Sequence, residues 1–280
     1  MTTQFRLAWR LQRWELSLLV GSGLALTGIA LLLPSLGDAA SGDQRMIVLF
    51  LTLAGPAVLG SALGIGLVAG EFEQHTAPIA WSLAGSRLRW LWLRAWPVVV
   101  IGLVVGTLLG AATARLMDLT SPSDIFMHQM RGPVVAMRFV AAFGVAVLIG
   151  AVVRRVMPGL LLAIVASVAL SITTAVPLRD WQEEQATLVP FSERTAEPLI
   201  ALIDHEFALA APDGTFTVTE PQCSSRDECT EAYATMTQVM LVVPARAYGG
   251  LLAIETGIAA TVLVLAALGT AAIIGRWGPR

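Results

Sequence analysis

Lysine and asparagine are both missing from this sequence of 280 residues, so its fixed positive charge comes from arginine alone. A Walker A loop needs a lysine that reaches the nucleotide phosphates, and the absence of lysine excludes such a loop. Any ATP must therefore be hydrolysed by a partner. Because lysine and asparagine codons both begin with AA, their absence also indicates a GC-rich bacterial genome.

Charge of either sign is scarce. Charged residues make up 14% of the chain and hydrophobic residues 56%, and the mean hydropathy is +0.73. A single soluble domain would not stay in solution with this balance, which predicts an integral membrane protein. The net charge of -2 and the lack of a basic stripe argue against a nucleic-acid partner.

Six stretches with little or no charge are each near the roughly 20 residues that a spanning helix needs. They are Leu16–Leu33, Met46–Gly70, Trp96–Ala114, Pro133–Val152, Val156–Val176 and Gly249–Ile274. We predict an all-α membrane protein forming a single domain over 1–280. Its parts are six transmembrane helices, a cytoplasmic amphipathic N-terminal helix (1–15), a cytoplasmic segment with an interfacial helix (71–95) and an extracytoplasmic loop (177–248).

Arginine placement predicts the orientation. Short arginine clusters precede the first span, separate the second from the third, join the fourth to the fifth at Arg154 and Arg155, and follow the sixth. All four segments fall on one side, and short arginine-rich segments stay in the cytoplasm. Both termini are therefore expected to be cytoplasmic. The start of the chain lacks a signal-peptide cleavage site and should remain attached.

The outer loop contains the only two cysteines, Cys223 and Cys229. On the oxidising side of a membrane, such a close pair favours a local disulfide over a metal site, and no histidine is near enough in sequence to complete a zinc set. The stretch Thr215–Thr219 alternates like a short strand. We predict a small, disulfide-containing loop region rather than a separate domain.

The segment 70–94 combines acids with an amphipathic stretch. Glu71, Glu73 and His75 leave the second span, and an apolar stretch then leads to Ser86, Arg87, Arg89 and Arg94. The pattern predicts a helix in the cytoplasmic interface, with Trp81, Trp90 and Trp92 at headgroup level. Carboxylates gain nothing from anionic headgroups, so the acids favour a docking surface for a soluble partner.

This segment resembles the intracellular loop of the permease subunits of type 2 ABC exporters. In that family an acidic pair is followed by a threonine, a Ser-Arg pair and a further basic residue. The positions that match in order are Glu71, Glu73, Thr76, Ser86, Arg87 and Arg94. The sequence departs from the family at His75, where glycine is frequent, and at Ala84, where proline is frequent. The six-span layout and the large loop before the last span are similar too.

The resemblance implies a permease subunit of the bacterial cytoplasmic membrane that exports its substrate. It also implies docking on two ABC ATPase subunits through 71–94 and pairing with a second permease, identical or related. ATP and Mg²⁺ would be bound by the ATPases, and this chain would bind no cofactor. The substrate would cross between the permeases, along the second and fifth spans. The apolar spans favour an amphipathic or lipophilic substrate such as a drug, a lipid or a peptide antibiotic.

Two charged residues lie inside predicted spans, Arg138 in the fourth and Glu255 in the sixth. Charge in a bilayer is costly and usually faces protein or water. Arg138 can snorkel to the outer interface or serve the substrate. Glu255 is expected to pair with Arg138 or Arg246, and a substrate or proton contact is the alternative.

Glycines recur at four-residue spacing in two spans. Those of the second span are Gly60, Gly64, Gly66 and Gly70, and those of the third, Gly102, Gly106 and Gly110, keep the spacing more regularly. Small residues at this spacing let helices approach closely, so helix packing explains them better than a nucleotide loop does.

Two other function classes remain alternatives. A membrane-embedded enzyme needs a nucleophile, an acid–base pair or metal ligands facing one cavity. The nearest set, Glu183 and Glu184 with His205, lies in the polar outer loop without helical metal-ligand spacing. A receptor or immunity protein would use the outer loop, but the chain has no cytoplasmic output domain. We therefore favour the permease.

Overall fold

The structure is a computed structural model that describes residues 2–33, 35, 42–118, 130–190, 199–210, 216–218, 237–244 and 247–276. These ranges contain seven α-helices and four β-strands. The helices are α1 (Thr2–Leu32), α2 (Gly42–Glu73), α3 (Ala77–Ala84), α4 (Arg87–Asp118), α5 (Pro133–Val153), α6 (Val156–Gln185) and α7 (Tyr248–Arg276). The strands are β1 (Thr187–Pro190), β2 (Leu199–Ala210), β3 (Phe216–Val218) and β4 (Thr237–Pro244).

Five of the described helices, α2, α4, α5, α6 and α7, are long and apolar enough to cross a membrane. They correspond to the second to sixth predicted spans. The apolar part of α1, Leu16–Leu32, is shorter. At 1.5 Å per residue it extends to about 25 Å, slightly less than the roughly 30 Å hydrocarbon core. The chain is thus an integral membrane protein, and a sixth crossing by α1 stays a prediction.

Several helices are longer than their predicted spans. The expected N-terminal helix and first span form one continuous helix, α1. Helix α2 continues through Glu73 and α4 begins at Arg87, so the charged residues of 71–94 lie mostly on helices and not in a loop. Helix α6 passes through Pro177 to Gln185. Proline can be accommodated there because it costs one backbone hydrogen bond and a kink, not the whole helix.

Helix α5 packs between α2 and α4, and glycines allow the close approach. A Cβ built on Gly64 of α2 would lie 2.6 Å from the backbone oxygen of Phe143, and one built on Gly106 of α4 would lie 2.6 Å from Cα of Ala136. Neither distance leaves room for a side chain. The packing interpretation is therefore confirmed for Gly60, Gly64, Gly102, Gly106 and Gly110, whereas nothing lies within 4 Å of a Cβ built on Gly70.

The helical core contains buried residues from α1, α2, α4, α5 and α7, and α5 supplies the largest share. They include Leu16, Leu67, Trp90, Phe139, Phe143, Val147 and Ile274. As predicted, Arg154 and Arg155 separate α5 from α6. Arg154 has a left-handed backbone (φ 60°), and its N–H donates to the Gly150 carbonyl at 3.0 Å, which ends α5.

The chain forms two compact units. The first comprises helices α1 to α5 with most of α6 and α7. The second holds the four strands with the end of α6 and the start of α7. The prediction that 1–280 acts as a single domain stays a prediction.

The second unit contains an antiparallel sheet with strand order β1-β4-β2-β3. Val189 pairs with Met240, and His205 pairs with the same residue from the other side of β4. Strand β4 has a partner strand on each edge, and its Val239, Val242 and Val243 are buried. Of the four strands, only β3 coincides with a strand predicted from the sequence. Cys223 and Cys229 lie outside the described residues, and their disulfide stays a prediction.

Candidate functional site: the junction of α2, α3 and α4

The Glu71 carboxylate joins the end of α2 to the start of α4. Its Oε1 accepts a hydrogen bond from Arg94 Nη1 at 2.5 Å, and its Oε2 accepts one from the Thr76 hydroxyl at 2.5 Å. The two charged side chains are only 16% (Arg94) and 18% (Glu71) exposed. Partial burial strengthens such a charge-assisted pair. Three of the six predicted coupling residues are therefore brought together in one contact.

The Glu73 carboxylate links α2 to α6. Its Oε2 accepts a hydrogen bond from the backbone N–H of Val156, the first residue of α6, at 3.0 Å. The first N–H groups of a helix have no partner within the helix, and a negative charge there also interacts favourably with the helix dipole. The Glu73 carboxylate therefore binds a backbone group of its own chain, at the start of a helix 83 residues away.

Helix α3 is delimited by two residues with left-handed backbone. His75, with φ 58°, ends α2, and Gly85, with φ 77°, ends α3. Positive φ favours glycine, which explains why the resembling family often has glycine where this chain has His75. The Ser86 hydroxyl then accepts a hydrogen bond from the Arg89 N–H at 3.2 Å, a normal N-terminal cap for α4.

Aromatic rings and arginines pack together around α3. The Trp81 ring meets Phe72 edge-on at 5.8 Å between centroids and Trp90 at 6.4 Å. Arginines lie over these rings at cation–π distance: Arg87 over Trp81 at 4.9 Å and Arg154 over Phe72 at 5.6 Å. This cluster connects α3 with α2, α4 and the end of α5.

Trp90 faces the protein and not lipid, because it is only 4% exposed in the helical core, and the depth of the tryptophans in the membrane stays a prediction. Trp81 also packs against that core, whereas Trp92 is exposed. Arg87 does not reach outward, because its Nη1 donates to the Ile274 carbonyl of α7 at 3.3 Å. Sequence patterning gave no signal for these contacts, since they join residues far apart in the chain.

Helix α3 has an inner and an outer face. Ala77, Ala80, Trp81 and Ala84 are buried or pack on the core. Pro78, Ile79, Ser82 and Leu83 are exposed, with Ile79 and Leu83 each 63% exposed. A short helix thus presents two large apolar side chains one turn apart on its exposed face.

The two intramembrane charges lie close to each other. Arg138 of α5 donates from Nη2 to the Ser171 hydroxyl of α6 at 3.1 Å, and it interacts electrostatically with Glu255 of α7. Glu255 is 9% exposed. The expected salt bridge of Glu255 with Arg138 stays a prediction. Arg246, the other expected partner, lies outside the described residues.

A small, partly open apolar groove runs between α1, α2, α4 and α5. Its lining includes Leu19, Gly23, Pro56, Val105 and Phe139 and contains no charged residue. Four glycines, at positions 23, 55, 102 and 106, also line it. The groove suits an alkyl chain better than a polar molecule.

Comparison with known proteins identifies the family. A family model described as "ABC-2 membrane transporter related" matches residues 33–179, more than half of the chain, and that range includes all six residues of the predicted coupling set. Neither the curated proteins nor the solved structures gave a match. On this match, and with five helices long and apolar enough to cross a membrane, the chain belongs to the ABC-2 membrane transporter related family and is an ABC-2 type permease.

Proposed function

We propose that the chain is the transmembrane subunit of an ABC exporter, powered by two separate ATPase subunits and paired with a second permease. Its membrane would be the bacterial cytoplasmic membrane, with both termini inside. The observation that carries the proposal is helix α3, because one of its faces packs against residues of α2 and α4 and the other exposes apolar side chains.

The uncovered face of α3 is the proposed ATPase contact. Ile79 and Leu83 lie one turn apart and are exposed, which suits insertion into an apolar cleft of a soluble partner. This refines the expectation from sequence, in which Glu71 and Glu73 would form the docking surface. Since both carboxylates bind groups of their own chain, we assign them to transmission of the movement and not to contact with the ATPase.

Transmission follows from the connections at the junction. A displacement of α3 would act on α4 through Thr76, Glu71 and Arg94 and on α6 through Glu73. Thus ATP-driven closure of the ATPases would move two spanning helices together, a rigid-body transition of the kind known for coupled transporters. The apolar groove supports an amphipathic or lipophilic substrate.

The contact is tested by purifying the tagged chain in mild detergent from its own membranes and measuring the co-purifying ATPase. Ile79→Ala with Leu83→Ala should lower ATPase recovery by about tenfold, the loss that removal of two apolar anchors produces. The matched control is Val264→Ala with Leu268→Ala, an equally exposed pair on the membrane-spanning part of α7. Equal recovery from both double variants would refute the contact.

A second variant separates contact from transmission. Glu71→Gln should leave ATPase recovery unchanged while lowering the stimulation of ATP hydrolysis in the reconstituted complex, because the link to Arg94 is weakened. If Glu71→Gln instead abolishes co-purification, the carboxylate belongs to the docking surface as the sequence suggested. A chain that purifies with no ATPase in several detergents would overturn the proposed function.

A further inference from the structure

Polar side chains from four apolar helices meet inside the helical unit. Ser61 of α2 and Ser167 of α6 are buried, and their hydroxyl oxygens are 3.3 Å apart. Ser171, one turn further along α6, accepts from Arg138 of α5. Glu255 of α7 completes the group through its interaction with Arg138. We call these five residues the polar cluster.

The cluster lies at membrane depth. Arg138 is five residues inside α5, about 7 Å along the helix from its start. Charged side chains at such positions are costly and are usually associated with binding or transport. The carboxylate of Glu255 balances the charge of Arg138, so the cluster is neutral overall when both are ionised.

The hydrogen bonds of Arg138 are incomplete among the described residues. A guanidinium has five donors, and a structural arginine–carboxylate pair normally uses two of them in a parallel fork. Here Nη2 donates to Ser171, whereas Nη1 is buried with no hydrogen-bond partner in the part of the chain that the structure describes. A buried donor left unsatisfied costs free energy, which is not expected of a pair built only to hold helices together.

Both serines near Arg138 already have hydrogen-bond partners. Ser171 Oγ accepts from Arg138 Nη2 and donates to the Ser167 carbonyl at 3.0 Å. The hydroxyl oxygens of Ser167 and Ser61 are 3.3 Å apart. An oxygen acceptor on a bound molecule would satisfy Nη1 without disturbing these contacts.

We propose that Arg138 is a substrate-binding residue that donates from Nη1 to an oxyanion, a carboxylate or a phosphate, at the polar end of an amphipathic molecule. Ser171 orients the guanidinium through Nη2. Glu255 acts as the internal counter-ion that keeps the arginine tolerable in the membrane when no substrate is bound. The inference rests on the proposed transport function and names the chemistry of its substrate.

The test uses the full-length chain purified in a neutral maltoside detergent, with dodecyl phosphate and dodecanoate as probes. Both anionic amphiphiles should raise the thermal unfolding midpoint, whereas dodecyltrimethylammonium, which has the same chain length and opposite charge, should not. Arg138→Gln should weaken the apparent affinity for the anionic probes by about tenfold or more, the loss of one charge-assisted hydrogen bond. Arg179→Gln removes an exposed arginine and should bind like the unmodified chain.

The double variant Arg138→Gln with Glu255→Gln separates binding from stability, and it replaces Arg138→Gln if that variant does not fold. If Arg138 and Glu255 only stabilise the fold, the anionic probes should still raise the unfolding midpoint of the neutral double variant. If Arg138 binds the substrate, the double variant should fold, but the probes should no longer raise its midpoint. No midpoint rise in the unmodified chain, or an equal rise in the arginine variants, would overturn the inference. Because this assay needs no ATPase, failure here would leave the proposed function standing.

Discussion

Helix α5 and helices α6 and α7 are almost equally apolar, yet their surroundings differ. In the apolar stretch of α5, 72% of the residues are buried inside the chain, whereas the corresponding values are 17% for α6 and 17% for α7. Lipid is as apolar as a protein interior, so hydropathy alone cannot distinguish a central helix from a peripheral one. Burial in the membrane must be decided by something other than hydrophobicity.

The size of the neighbouring side chains decides it here. Helix α5 is contacted by glycines of both α2 and α4, which bring the backbones close together. The outer face of α6 carries large exposed residues such as Met157, Leu161, Val165 and Ile172. Such a face is suited to lipid or to a second permease. Small residues therefore mark the packed centre, and large aliphatic residues mark the periphery.

The largest expected effect is at the α2–α5 contact. Gly64→Ala places a Cβ 2.6 Å from the Phe143 backbone oxygen and 2.7 Å from Ala146 Cβ, neither of which can move without shifting α5. We expect a loss near the upper end of the about 1 to 3 kcal/mol typical of overpacking. The measurement is an SDS titration of unfolding in mixed micelles.

Gly55→Ala is the matched control in the same helix, because nothing lies within 4 Å of its added Cβ. Alanine is the better helix former, so this change should be neutral or stabilising by up to about 1 kcal/mol. If both variants unfold at the same SDS fraction, close helix approach does not explain the burial of α5.

A smaller effect is expected for two Glu–Arg ion pairs that differ in exposure, and the quantity compared is their coupling free energy. Glu71–Arg94 is largely buried, whereas Arg179–Glu183, at the end of α6, has side chains 64% and 44% exposed. A double-mutant cycle with glutamine at each position should give a coupling of about 1 to 3 kcal/mol for the first pair. The exposed pair should give about 0.3 to 0.5 kcal/mol.

The contrast between the two cycles is the informative quantity. Raising the salt concentration should reduce the coupling of the exposed pair more than that of the buried one. Equal couplings, or a stronger effect of salt on Glu71–Arg94, would mean that the junction is solvated and does not hold α2 and α4 together.

The smallest effect concerns the start of α6. Glu73→Gln keeps an acceptor for the Val156 N–H but removes the charge, so the first turn should weaken by about 0.3 to 1 kcal/mol. Hydrogen exchange of the backbone amides of Val156, Met157 and Gly159 measures this directly. Glu183→Gln, near the other end of α6, should leave those amides unchanged. Unaltered exchange in Glu73→Gln would remove the proposed link between α2 and α6.

The sequence predicted the location of the junction better than its chemistry. Helical lengths, the arginine clusters and the acidic pair identified 71–94 as a distinct segment, because these features are local in sequence. The partner of Glu73 could not be predicted, since it is a backbone group of another helix. The arrangement of Phe72, Trp81 and Trp90 was missed for the same reason, because it depends on how α2, α3 and α4 pack.

The sheet was missed for a different reason. Strand β2 has three consecutive polar residues, Asp204, His205 and Glu206, in the middle of an apolar sequence. When the sequence is read alone, these polar residues resemble part of a loop. Its pairing with β4 supplies the backbone hydrogen bonds that make it a strand. Without knowledge of that partner, only the strongly alternating residues around β3 were recognisable.

Composition and the period of apolar runs by themselves determined that this is a helical membrane protein and where five of its spans lie, because transfer into lipid depends on each segment alone. The lack of lysine likewise excluded a Walker A loop. Tertiary structure decided which helix is central, which carboxylates bind their own chain and which serines surround Arg138. These features depend on the distances between helices, and such distances are set by the packing of side chains that are remote from one another in sequence.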